Sequence, residues 1–463
     1  MSRTKNLLKN TGILIIAKMS TQVVSFLLLP LYTALLSTEQ YGEIDIYTSL
    51  AMIVIPFLTL QIEMGLFLFY ITAKDRAKQT DIISSSFAMI TLDILIVSIM
   101  YFIITIFIPI NYRIPLYLYY LSMALSSVLL QVCRAQGNNA AYGMASFVSS
   151  GVAIVLNALF VVGFHWKVEG IIYASIIAQL VSVLFMLWKT KVHGYVTLKG
   201  IKRDQCVKLL NYSFPLVLNQ VSSWGINYSN RLIIISYLGI GINGIYSLAN
   251  KFSNLTNMFF GMYNLAWTES VVRSMDDEDS VDYLSKMVMM TFNIYLLLIT
   301  GMINLLPFVF DVLVNQAYAD AYNHIPILLC SMFFSGMAAT IGSIFIAYNR
   351  TRNVSITTTL AALCNIFIHL MMLKNFQLYA SSISSLISFF LLFVYRYLFV
   401  QKIVPLQFQI SKILIPLAVL VISCIAYVSK NPWFILVGFT LNVLDIGYML
   451  FTNKENVVKL LKR

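Results

Sequence analysis

The chain has 463 residues, of which 59% are apolar and 11% charged, with a mean hydropathy of +0.81. Soluble domains carry about 25% charged residues. The composition therefore excludes an ordinary soluble protein, a disordered chain and, despite a net charge of +12, a nucleic-acid binder. Apolar stretches broken by short polar ones describe an all-α polytopic membrane protein, with room for about 13–15 spans at roughly 30–35 residues each.

In chain order, hydropathy predicts fourteen spans, at 11–36, 44–70, 83–108, 115–135, 141–163, 170–188, 209–237, 243–272, 287–314, 325–348, 354–373, 378–399, 411–428 and 433–451. The basic start (Arg3, Lys5, Lys9) resembles a secretory signal. Its apolar run continues to about Leu36 with no small-residue cleavage site after it, so it reads as a retained first span. With both termini cytoplasmic, 24 of the Lys and Arg residues fall inside, Arg396 among them, and only Arg113, Lys167, Lys374 and Lys430 fall outside. That asymmetry fixes the orientation and accounts for most of the positive charge. Lys18, Arg231 and Lys251 remain, within or at the ends of spans 1, 7 and 8.

Span 6 (Tyr173, Ala174, Ser175, Ile177, Leu180, Ser182) matches span 12 (Tyr379, Ala380, Ser381, Ile383, Leu386, Ser388) at a constant offset. Leu36 and Gly42 likewise match Leu238 and Gly244, and Arg134 and Arg350 each end the fourth span of a half. The reading is an N-lobe at 1–200, a C-lobe at 201–402, and two further spans with a cytoplasmic tail at 403–463. An even number of spans per half makes the repeat parallel, and the substrate path is expected between the halves.

Span 8 is the most informative. Asn243, Ser247, Asn250, Asn254, Asn257, Gly261, Asn264 and Thr268 alternate in steps of four and three and so share one helix face. Amides facing lipid are costly, so this row must face protein or water. Amides that bond neighbouring helices usually come one or two at a time, so the length of the row favours the wall of a polar cavity. Span 7 adds Asn219, Ser222, Ser223, Asn227 and Asn230 within a sector of about 140°. Span 1 adds Lys18, Thr21, Gln22 and Ser25. At 1.5 Å per residue, Lys18 lies roughly 10 Å in from the inner end of its span and Lys251 about 12 Å from the outer end of its own. Arg231 lies further out, where snorkelling to the headgroups is an equal reading. Glu63 in span 2 and Asp93 in span 3 read first as structural partners of buried cations and second as ion-coupling groups.

Other signals carry less. Gly239–Gly244 matches G-x-G-x-x-G, but it sits in an external turn with no preceding strand. There is no P-loop sequence, no C-x-x-C pair and no metal-ligand spacing among the four histidines. The acidic run Asp276–Asp279 reads as a solvated loop. Short external loops speak against a membrane polymerase or glycosyltransferase with catalytic acids in a large loop.

Several segments resemble the polysaccharide repeat-unit flippases of the multidrug/oligosaccharidyl-lipid/polysaccharide exporter superfamily. They are FLLLPLYTALLSTEQYGEIDI (26–46), YSFPLVLN (212–219), NRLIIISYLG (230–239), GIYSLANKFSNL (244–255), NLAW (264–267) and AYADAYNHIPIL (317–328). The resemblance covers nearly the whole chain. It implies a fourteen-helix, two-lobed transporter whose central cavity is lined by helices 1, 2, 7 and 8, in the bacterial inner membrane. It implies export of undecaprenyl-diphosphate-linked oligosaccharide for O-antigen or capsule assembly, with no cofactor and no enzymatic step, by a monomer. Membrane lipids and other polysaccharide-assembly proteins would be its partners.

On that resemblance Lys18, Arg231 and Lys251 would meet the diphosphate. Gln22, Asn219, Ser223, Asn227, Asn250, Asn254 and Asn257 would line the sugar path. Three departures stand out: Ala34 where relatives carry Arg, Asn230 where Asp often precedes the Arg, and Glu269 in place of a common Pro. A cationic cavity suits a lipid diphosphate, and moving two negative charges outward at 100 mV gains about 4–5 kcal/mol. A cation-coupled drug antiporter of the same fold, which would want acids in the pocket, is the alternative.

Overall fold

The computed structural model describes residues 24, 26–73, 75–108, 110–348, 350–407 and 411–452. Among them every regular element is helical. The helices are α1 (Leu29–Leu35), α2 (Thr38–Thr59), α3 (Ile62–Thr72), α4 (Arg76–Phe107), α5 (Arg113–Ala135), α6 (Asn139–Asn157), α7 (Val168–Thr190), α8 (Arg203–Leu238), α9 (Ile240–Ser274), α10 (Ser280–Leu313), α11 (Ala321–Ala347), α12 (Thr351–Phe376), α13 (Leu378–Val400), α14 (Ser411–Ser429) and α15 (Pro432–Thr452). Spans 3 to 14 each coincide with one of α4–α15. Helices α4, α8 and α10 begin a turn or more before the apolar runs, because polar residues outside a bilayer can still be helical. Span 1 is described only at its end, so Lys18 and Gln22 lie outside the described residues.

Span 2 is broken rather than continuous. Leu60 and Gln61 both take left-handed backbone, at φ 47° and 55°, between α2 and α3. The Thr59 hydroxyl bridges the break, donating to Ile55 O and accepting from the Gln61 N–H, both at 3.2 Å. Non-glycine residues in this region cost energy and persist only where the surroundings impose them. A capping box of Ser37 and Gln40 starts α2, and α6 ends in a π-helical turn at Ala158–Gly163.

Nine of the described helices are long and apolar enough to cross a membrane: α2, α4–α7 and α10–α13. The chain is thus a multi-pass membrane protein. Helices α8 and α9, the two longest, are not among the nine, because amides and charges interrupt their apolar surface.

The chain divides into two compact units, Met1–Arg231 and Leu232–Arg463, with the boundary inside α8. In the first unit Leu66, Ile83, Leu129, Val132, Cys133, Ala145 and Met186 form one core, and Tyr47, Ala51, Leu58, Leu116, Ala124 and Ile172 another. There α5 and α6 both pack on α7, and in the second unit α11 and α12 both pack on α13. Of the six matched pairs, Ala174 and Ala380, and Ser182 and Ser388, are buried in both helices, while the other four pairs differ in burial.

In the second unit Phe260 stacks on Tyr295, with ring centroids 3.8 Å apart. Both rings press on Gly336, where a Cβ would come within 2.7 Å of Phe260. The two C-terminal helices are fastened to α10 by the buried Asn304, whose amide donates to Ser423 Oγ (3.0 Å) and Gly438 O (3.1 Å). Arg396, counted above with the inside loops, is instead buried within α13. Its guanidinium donates to Ala338 O, Val354 O, Thr357 Oγ1 and Thr358 Oγ1, tying α11, α12 and α13 together.

Candidate functional site

The amide row lies along α9, and packing divides it into three. Toward Gly239, Asn243, Ser247 and Asn250 are buried, and the Asn250 side chain donates to Tyr246 O at 3.0 Å within its own helix. At the other end Asn264 Oδ1 accepts from Ser343 Oγ at 3.1 Å, and Thr268 Oγ1 lies 2.7 Å from that same hydroxyl. Between these packed ends Asn254, Asn257 and Gly261 are exposed. The ends thus fasten α9 within its unit, and the middle keeps two amides open to a ligand.

On α8, Asn219 is exposed and Asn230 is buried, while the side chains of Ser223 and Asn227 lie outside the described residues. Lys251 is half-buried on the flank of the α9 row. Arg231 is the best defined of the expected cations. Its Nε donates to Asp45 Oδ2 at 2.7 Å, and both side chains are nearly buried, at 13% and 11% exposed. Its guanidinium lies 4.8 Å over the Tyr228 ring. That ring stacks on Trp224, whose Nε1 donates to Ser49 O at 2.8 Å. Asp45 and Ser49 are one turn apart on α2, and Trp224, Tyr228 and Arg231 follow one face of α8, so two matching faces are joined polar group to polar group.

Asp45 is a site residue that the sequence reading missed. It sits in an apolar segment as Glu63 does, and the same rule for intramembrane acids would have flagged it. Glu63 falls in the first turn of α3, just after the break in span 2, and is 4% exposed. Asp93 on α4 is 9% exposed. One carboxylate oxygen of each is buried without a hydrogen-bond partner among the described residues. Among those residues no group of His, Cys, Asp and Glu could hold a metal ion.

Comparisons with known proteins place this arrangement. No curated protein matches the chain at a significant level. Among solved structures, the lipid II flippase MurJ in an inward closed conformation aligns over 97% of this chain and 100% of its own, with a TM-score of 0.73 and 13% identity. An inward-facing multidrug resistance MATE family transporter of the MOP superfamily aligns over 85% of this chain and 98% of its own, with a TM-score of 0.68 and 15% identity. A Vibrio cholerae MATE transporter aligns over 87% and 97%, with a TM-score of 0.55 and 14% identity. At these identities the likeness establishes the fold. The model of a family described as polysaccharide biosynthesis protein matches residues 7–268. Because that match spans more than half of the chain, the protein belongs to the polysaccharide biosynthesis protein family, on the fold that MATE transporters of the MOP superfamily share with the lipid II flippase MurJ.

Proposed function

We propose that the protein is not an enzyme but a flippase, moving undecaprenyl-diphosphate-linked oligosaccharide repeat units from the cytoplasmic to the outer leaflet for O-antigen or capsule assembly. It would sit in the bacterial inner membrane with both termini cytoplasmic, act as a monomer by alternating access, and hand its cargo to other polysaccharide-assembly proteins. The observation that carries this reading is the exposed middle of the α9 amide row, Asn254 and Asn257, between two packed ends of that row. Open amides suit a hydroxyl-rich sugar and serve no purpose against lipid. The family match and the excess of positive charge in the inside loops support the same reading.

In this scheme Lys18, Arg231 and Lys251 meet the diphosphate, and Gln22, Asn219, Ser223, Asn227, Asn254 and Asn257 serve the sugar path, whereas Asn250, buried and bonded within its own helix, packs instead. Lys18 meets the diphosphate while the protein is open inward, and Lys251 with Arg231 receives it when the protein opens outward. The Asp45 carboxylate would compete with the diphosphate for Arg231, so release outside restores the ion pair. Glu63 and Asp93 are the candidates for ion coupling, and such buried intramembrane acids give the drug-antiporter reading its specific support.

The test is a strain lacking the protein. Lipid-linked repeat units should accumulate where an impermeant sugar-oxidising reagent cannot reach them from outside, and the wild-type gene should expose them again. Equal exposure with and without the protein would refute the proposal.

A further inference from the structure

At the end of the first unit that carries the 191–202 linker lies a cavity of about 500 Å³. Its lining includes Arg76, Lys189, Lys191, His193, Gly194 and Tyr195. Three of these side chains are cations, His193 can become a fourth, and among the described residues no carboxylate lines the space. The nearby Asp75 lies 3.8 Å from Lys78 Nζ in an exposed pair. From this cavity we infer a binding site for the phosphate of an anionic phospholipid headgroup, distinct from the proposed transport path.

The cationic side chains are exposed, and aromatic rings and a tight turn position them. Arg76 opens α4, and its guanidinium lies 5.5 Å over the Tyr195 ring. Lys189 closes α7, with its ammonium 4.1 Å over the Trp188 ring. Between them the chain turns tightly: Lys191 takes left-handed backbone at φ 48°, and the Gly194 N–H donates to Lys191 O at 3.0 Å. Val192 anchors the turn in the core beside Cys133 and Met186.

The linker beyond is stitched to α4 by two buried serines. Ser84 Oγ donates to Tyr195 O and accepts from the Thr197 N–H. Ser85 Oγ donates to Gly200 O and accepts from the Lys202 N–H. At Gly200 a Cβ would approach Ser84 Oγ to 2.6 Å, so the stitch requires glycine there.

Two observations make the anion a lipid's. Close in sequence to the lining residues are exposed apolar side chains, Leu184 (65%), Trp188 (66%) and Leu198 (89%). Trp at the edge of an apolar span marks the headgroup level of a bilayer. The α7 carbonyl end faces the same region and repels anions, so the cations, rather than backbone amides, must hold the phosphate. Clusters of Lys and Arg beside membrane spans are also the usual readers of anionic lipid.

The test uses the full chain in a non-ionic detergent, so it depends neither on orientation nor on transport. Native mass spectrometry would follow binding of short-chain phosphatidylglycerol, short-chain phosphatidylcholine and inorganic phosphate. Phosphatidylglycerol should bind saturably and phosphatidylcholine should not. Arg76→Gln together with Lys191→Gln should weaken phosphatidylglycerol by about tenfold or more, at about threefold to sixfold per lost charge. Lys199→Gln, just outside the cavity, should leave binding unchanged and shows that the cavity rather than overall charge is read. Lys189→Gln provides a second probe if the double variant does not fold. Equal binding by parent and variants, equal binding of phosphatidylcholine, or phosphate alone binding as tightly as the lipid would each overturn the inference. Failure of the flippase proposal would leave these outcomes unmoved.

Discussion

Removing either partner of the Arg231–Asp45 pair separates what holds the first unit together from what handles substrate. At 2.7 Å the two charges attract by about 6 kcal/mol at an effective dielectric of about 20, before desolvation is subtracted. Both side chains are nearly buried, so breaking the pair by removing one partner costs about 3–5 kcal/mol. Asp45→Asn and Arg231→Met should therefore each lower the unfolding temperature in detergent. In the double variant the two losses should be clearly less than additive, because both single changes break the same contact. Transport should behave differently: if Arg231 also meets the diphosphate, the double variant shows this saving in stability but does not regain flipping. A double variant as unstable as the sum of the singles would refute the pairing argument. One that regains flipping as well would reduce Arg231 to a structural role.

Three further predictions follow from the fold. In a chain with its five native cysteines replaced, a cysteine at Lys199 should be protected from an impermeant maleimide in intact cells, and one at Asp320 labelled. Both positions are exposed, so the reverse pattern would overturn the topology. Asn254→Leu with Asn257→Leu should sharply reduce transport while changing stability by no more than about 0.5 kcal/mol per site, because both amides are exposed; loss of folded protein would instead assign them to packing. Gly336→Val should destabilise the second unit by about 1–3 kcal/mol or more by forcing apart the Phe260–Tyr295 stack, read as a lower unfolding temperature, and an unchanged value would contradict the close approach.

The span pattern was legible because the bilayer imposes a length and a polarity on every crossing segment. The break in span 2 was not: Leu60 and Gln61 carry no left-handed signature, and the nearest hint, Pro56, lies a turn earlier inside α2. The α9 amides were recognised as a row, but residue type cannot separate the buried Asn250 from the exposed Asn254 four positions on. That difference depends on neighbours distant in sequence, as Asn264 depends on Ser343. The partner of Arg231 was hidden for the same reason, since Asp45 is 186 residues away. Arg396 looked like an inside charge because its acceptors are hydroxyls and carbonyls of ordinary helices, which carry no complementary charge to read.

The most direct test of the central claim is flipping itself. The purified protein would be reconstituted in liposomes carrying a fluorescent undecaprenyl-diphosphate-linked sugar in one leaflet, and its arrival in the other followed by an impermeant quencher. The account predicts translocation well above that of empty liposomes, abolished by Lys18→Ala and largely kept by Lys18→Arg, because a diphosphate reads charge. Translocation no faster than in empty liposomes, from protein that in the same vesicles extrudes a cationic drug, would contradict it.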